Sequence, residues 1–136
     1  MNFSNNIYLI QSTTDVFSPI LKATLVVFNA EGYRIAASEH FKAKINDWGP
    51  ENYPALIAMR QKKRIEILHP RSDEICKSCI YTSVCGKNAV LHIPLMEDEN
   101  LLGCLSILWY QKVNLENFEG HIQYLIGLFT MLLNNE

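Results

Sequence analysis

Three cysteines fall within ten residues, at Cys76, Cys79 and Cys85, and a fourth, Cys104, stands apart. The Cys-x2-Cys-x5-Cys spacing gathers three thiols on one short stretch of chain. Two thiols three residues apart can chelate one metal ion, and the third closes from beyond a short turn. Gly86, directly after Cys85, permits the bend that this requires. A structural zinc ion takes four ligands. An iron–sulfur cluster is held mainly by thiolates, usually four of them. Candidates for the fourth position are Cys104, His69, His92 and His40, with Cys104 preferred and His69 its alternative; three cysteines around a cluster with one open iron position is a further arrangement. Lys77 and Lys87 favour thiolate by charge, which serves metal binding and reversible thiol–disulfide switching alike. The plainer reading is that these are loop cysteines without a task. Cys104 taken alone reads more readily as a small core residue.

Other reactive constellations are missing. There is no Gly-x-Ser-x-Gly elbow, no His-Glu-x-x-His and no Gly-rich phosphate loop. A cysteine nucleophile with His92 or His69 as its base would need a depressed thiol pKa that the sequence does not reveal. The sequence therefore reads as a non-enzyme. His92 lies on an apolar strand and His121 interrupts an apolar helix, so both read as packed polar groups rather than ligands.

The elements that must position these residues can be read from hydrophobic period. Ile7, Ile10, Thr14 and Phe17 fall at helical spacing, and Ser18-Pro19 should end or kink that helix. Residues 23–29 and 33–37 read as a β-hairpin around Asn29-Ala-Glu-Gly32, with Gly32 at a turn position needing positive φ. A short helix is expected within 50–64, with the basic run Arg60-Gln-Lys-Lys-Arg64 complementing its C-terminal dipole. Trp48, just before it, reads as a packing anchor. A weak strand at 65–68 precedes a polar loop of about 20 residues carrying the cysteines, long enough to imply function or a covalent or metallic tether. Residues 89–95 and 101–110 form a second hairpin, and Pro94 places its strand at an edge or at an irregularity. Asn114 is a plausible N-cap for a last helix, striped by Leu115, Phe118, Ile122, Leu125, Phe129 and Leu132. That helix is more apolar than one sheet contact requires, so deep burial or packing on a second copy is expected.

The chain has 136 residues, enough for a single domain spanning 1–136. Twelve Lys and Arg against 14 Asp and Glu give a net charge of −2, which lacks the basic excess of a nucleic-acid binder. No apolar run approaches a membrane span. The first ten residues carry no positive charge, so no export signal is expected and the chain is placed in a reducing cytoplasm, where clustered cysteines point to metal or redox chemistry rather than structural disulfides.

The order helix, hairpin, helix, strand, long loop, hairpin, helix predicts an α+β fold: an antiparallel sheet of about five strands with the N- and C-terminal helices on one face. This order resembles the GAF and PAS class of bacterial sensory domains. Leu25-Val-Val-Phe-Asn-Ala-Glu-Gly-Tyr-Arg-Ile35 is similar to their opening hairpin, and Ile93-Pro-Leu-Met-Glu-Asp-Glu-Asn-Leu-Leu-Gly-Cys-Leu-Ser-Ile107 to the closing hairpin of GAF domains. Cys76-Lys-Ser-Cys79 and Cys85, followed by the Ile-Pro strand, resembles the cysteine-containing GAF input domains that head bacterial AAA+ transcriptional activators. The resemblance implies a signal-sensing input domain of a bacterial transcriptional regulator, a piece of a longer protein, acting as a homodimer through its terminal helices without touching nucleic acid itself. Its cysteine loop would bind an iron–sulfur cluster, or zinc, for redox sensing. The alternative is a GAF domain that binds a small molecule between the sheet and residues 38–64. His40, Trp48, Tyr53 and His92 would then line the site, and the cysteine loop would be only structural. A pure dimerisation module is the third reading.

Overall fold

The computed structural model describes residues 3–70, 72–79 and 86–134. Helix α1 (Phe3–Leu21) leads into strands β1 (Thr24–Asn29) and β2 (Arg34–Ala37), then a 3-10 turn at Glu39–Lys44 and helix α2 (Pro54–Gln61). Strand β3 (Ile65–Ile67) precedes the cysteine loop, which contains a 3-10 turn at Glu74–Cys76. Strands β4 (Ala89–Glu97) and β5 (Asn100–Trp109) and helix α3 (Glu119–Asn134) complete the chain. The five strands form one antiparallel sheet in the order β2-β1-β5-β4-β3. The expected fold is the one observed.

Both sheet faces are covered, as the near-continuous burial of β1, β4 and β5 requires. Leu25, Val27, Leu91, Ile93, Leu105, Ile107 and Trp109 pack with Ile10 and Leu21 of α1 and with Ile122, Leu125 and Phe129 of α3. Polar groups within that layer are met by backbone carbonyls. Trp109 Nε1 donates to the Leu21 carbonyl at 2.9 Å, and Asn6 donates to the Leu132 carbonyl at 3.0 Å. The opposite face carries Val26, Phe28, Val90, Cys104 and Leu108, packed with Tyr53, Ala55 and Met59 of the α2 segment and with Cys76.

The first hairpin turns as its residues dictate. Asn29 Oδ1 accepts from the backbone N–H groups of Glu31 and Tyr33, both at 3.0 Å, and Gly32 has φ +90°. Two local expectations are corrected and a third is placed. Helix α1 does not stop at Ser18-Pro19 but runs to Leu21, because the proline falls in the last turn. That turn closes through Lys22 at φ 55°, with the Ala23 N–H on the Ser18 carbonyl at 3.1 Å. Strand β4 is interior, and Pro94 sits at the expected irregularity, next to the register shift at Leu95 and Met96. Pro94 is tolerated because β3 pairs only with residues Val90–His92, which leaves its outer side unladdered. Trp48 does not anchor the core: it is 59% exposed, and its ring meets that of Tyr33 edge-on at 4.8 Å. The last helix begins as a 3-10 turn at Leu115–Phe118, capped by Asn114 through the Glu116 N–H.

Candidate functional site

Two register shifts decide which side chains meet beneath α2. Between β1 and β2 the pairing passes from Val27 opposite Ala36 to Phe28 opposite Arg34, so Ile35 is an extra residue. Without it Arg34 would pair with Asn29 and point to the other face; with it, Arg34 joins Phe28. Between β4 and β5 the register shifts beside Leu95 and Met96. Regular pairing continued from Glu97 opposite Asn100 would set Cys104 opposite Ile93; the shift sets it opposite Pro94, on the face of His92 and Val90. A bulge of this kind re-aims a side chain at the cost of local ladder regularity.

The resulting layer holds several polar groups among aromatic rings. Arg34 is 3% exposed. Its guanidinium carbon lies 5.3 Å from the Phe28 ring centroid and 5.9 Å from those of Phe41 and Tyr53. Nη1 donates to the Trp48 carbonyl at 3.3 Å, whereas the buried Nε has no hydrogen-bond partner among the described residues. Lys87 Nζ stands over the same Phe41 and Tyr53 rings, at 5.7 and 6.0 Å. His92 is 2% exposed, meets the Tyr53 ring edge-on at 5.8 Å and shares a 2.7 Å hydrogen bond between Nδ1 and Ser106 Oγ. Burial, with the charge of Lys87 second, lowers its pKa to about 3, so the imidazole is neutral at ordinary pH.

Cys104 is fully buried in this layer, and burial pushes its thiol up to about 12, against a smaller opposing effect of hydrogen bonds from Ser106 and the Ile93 backbone. Cys76 is buried in the same cluster, and Cys79 packs against it. The turn that carries them is fixed by Asp73, which accepts from the Ile75 N–H at 3.2 Å, and by the Cys79 N–H on the Cys76 carbonyl at 3.1 Å. His69 is exposed and anchors the loop through its carbonyl, which accepts from Ser72 and Asp73. Cys85 lies outside the described residues. Among those described, no three His, Cys, Asp or Glu side chains are close enough to hold a metal ion.

Of the four residues expected to line a ligand site, Tyr53 and His92 meet in this layer. His40 lies exposed on the 3-10 turn, with Nε2 3.2 Å from the Tyr110 hydroxyl, and Trp48 reaches the layer only through its carbonyl to Arg34. The sequence reading overlooked Arg34 and Ser106. A charged residue inside the run Tyr33-Arg-Ile-Ala-Ala37 was the available signal, but strict alternation could not say which face it served.

No protein-family model matches the sequence, and no curated protein matches it. Solved structures do match. The GAF domain region of a protein from Geobacter sulfurreducens PCA superposes over 97% of this chain and 95% of its own, with a TM-score of 0.77 at 16% identity. This chain has the GAF fold. The cofactor-binding GAF domain of the nutrient sensor CodY from Clostridium difficile matches over 88% of this chain and 81% of its own, with a TM-score of 0.66 at 13% identity. The type II free methionine-R-sulfoxide reductase of Thermoplasma acidophilum matches over 98% and 95%, with a TM-score of 0.74 at 10% identity. The GAF fold therefore carries both sensing and catalysis, and the site must decide between them. Among the described residues, no helix is long and apolar enough to cross a membrane.

Proposed function

We propose that the chain is a signal-sensing input domain of a bacterial transcriptional regulator, acting in the cytoplasm, and that its signal is a small molecule bound between the sheet and α2. The observation that carries this reading is the buried polar set Arg34, His92 and Ser106 in an otherwise apolar layer. Buried polar groups are normally fully satisfied, and an orphan donor there costs stability that packing alone does not require. The CodY domain of the same fold is described as cofactor-binding, which supports a ligand at this kind of domain. A thermal melt against a metabolite library tests the reading. A ligand at a hundredfold excess over its Kd stabilises by about 2.7 kcal/mol. Tyr53→Ala should abolish the shift, and a library that leaves the melting temperature unmoved would count against it.

Redox sensing is a second reading of the same input role, favoured by Cys76, Cys79 and Cys104 sharing that face. Here the thiols, with Cys85, would hold an iron–sulfur cluster, or zinc in its place. Protein purified without oxygen should then be brown and contain iron and sulfide, both lost in Cys79→Ser. Stoichiometric zinc in colourless protein would make the loop structural. A homodimer through α1 and α3 belongs to either reading, since Tyr8, Leu9 and Val16 of α1 and Tyr124 and Met131 of α3 are exposed. Sedimentation at rising concentration tests it.

A further inference from the structure

We infer that the ligand bound beneath α2 carries a carboxylate, received by the Nε edge of Arg34 and the ammonium of Lys87 against the rings of Phe28, Phe41 and Tyr53. This rests on the small-molecule reading above and names the chemistry of its ligand.

Arg34 and Lys87 put two positive charges on one pair of rings, Phe41 and Tyr53. Among the described residues neither cation has an acidic partner. The ion pairs that form lie elsewhere, between Lys42 and Asp15, Arg64 and Glu119, and Lys77 and Glu74. A buried guanidinium without a counter-charge is costly unless an anion completes it. The ring faces and the Trp48 carbonyl compensate part of that cost and leave Nε–H unmet. The β1–β2 bulge is what turns Arg34 inward, so the strand gives up regular pairing to bury this charge.

The shape of the unpaired edge selects the anion. Nη1 is engaged by Trp48, so the free side of the fork is Nε–H and the Nη2 beside it. A planar carboxylate matches that edge with two parallel hydrogen bonds. A phosphate dianion would bring more oxygens and more charge into a layer whose other walls are Val26, Met59 and Leu108. The neutral imidazole of His92 supplies no further positive charge. The rest of the ligand is therefore apolar, an aliphatic or aromatic acid.

The test compares acids with their uncharged isosteres. Benzoate and benzamide, butyrate and butyramide, and inorganic phosphate are titrated into the protein while the Arg34 Nε–H resonance and the melting temperature are followed. The acids should shift both saturably, and the amides and phosphate should leave both unmoved. Lys87→Gln should weaken the acids about tenfold, the effect of one charge-assisted contact, and Arg34→Gln should abolish binding. If Arg34→Gln fails to fold, the Lys87 variant and the wild-type resonance carry the test. Amides that bind as tightly as the acids overturn the inference, as does phosphate that moves Nε–H where the acids do not. Acids without effect also overturn it, and a parallel screen of neutral metabolites then separates the two failures. A neutral compound that shifts resonances of Tyr53 and His92 keeps the ligand-sensing reading and removes the carboxylate; silence in that screen removes both.

Discussion

His92 on β4 and Ser106 on β5 face each other across the central ladder with Nδ1 and Oγ 2.7 Å apart, deep in the layer beneath α2. Burial, aided by Lys87, lowers the imidazole pKa from 6.5 to about 3. The sign follows directly. Below pH 6.5 the unfolded chain takes up a proton that the folded chain refuses. The stability associated with neutral His92 is complete above pH 6.5 and is lost as pH falls towards 3, by up to about 1.4 kcal/mol per pH unit. Urea unfolding of the wild type at pH 7 and pH 5 should show that loss. His92→Gln, which keeps a polar partner for Ser106, should reduce the slope by one proton; equal slopes in the two proteins would refute the assignment.

Gly103 sets how closely β1 and β5 approach. A Cβ built there would lie 2.2 Å from the Phe28 carbonyl oxygen and 3.2 Å from Leu133 Cδ1. The first neighbour is backbone in the middle of the sheet, so relief requires the strands to move. Gly103→Ala is expected to destabilise the protein by about 1–3 kcal/mol. An unchanged urea midpoint would show that β5 shifts freely at this position.

Helices α1 and α2 both end on a lysine in the left-handed region, Lys22 at φ 55° and Lys62 at φ 53°. Glycine takes that conformation without the clash of a Cβ. Lys22→Gly should therefore raise stability by about 0.5–1 kcal/mol, measured by denaturant titration. A loss instead would mean that the lysine side chain contributes more than its backbone strain removes.

Those lysine caps also explain part of what the sequence concealed. Ser18-Pro19 was the visible stop signal for α1, and nothing marked Lys22 as the true end. The sheet was far more legible. The β-branched and apolar runs at 24–29 and 100–109, Asn29 and Gly32 at the turn, and the apolar stripe from Ile122 to Leu132 are each local features of the chain. The candidate site was less so, because it depends on the two bulges. One extra residue beside Phe28 and another beside Leu95 set the facing of Arg34 and Cys104. Register is a property of two strands together, and a single run of residues does not contain it. Tyr53 and His92 were singled out because aromatic and imidazole side chains announce themselves by type; Arg34 in a strand did not.

The cysteines differ in accessibility in a way that alkylation can read. Cys104 is fully buried, and its thiol is pushed up to about 12. Only the thiolate reacts with an alkylating reagent, so the folded protein at pH 8 offers neither access nor the reactive form. Cys79 is half-buried on the loop. Brief iodoacetamide treatment of the reduced, metal-free protein, followed by digestion and mass spectrometry, should label Cys79 and leave Cys104 unmodified until urea is added. For Cys104 to serve as the fourth metal ligand, the metal would have to displace a proton from this buried thiol, and ligation would then be strongly pH-dependent. Rapid labelling of Cys104 in the folded, reduced protein would show that the β4–β5 hairpin opens readily. That result would restore Cys104 as an accessible partner for the loop thiols.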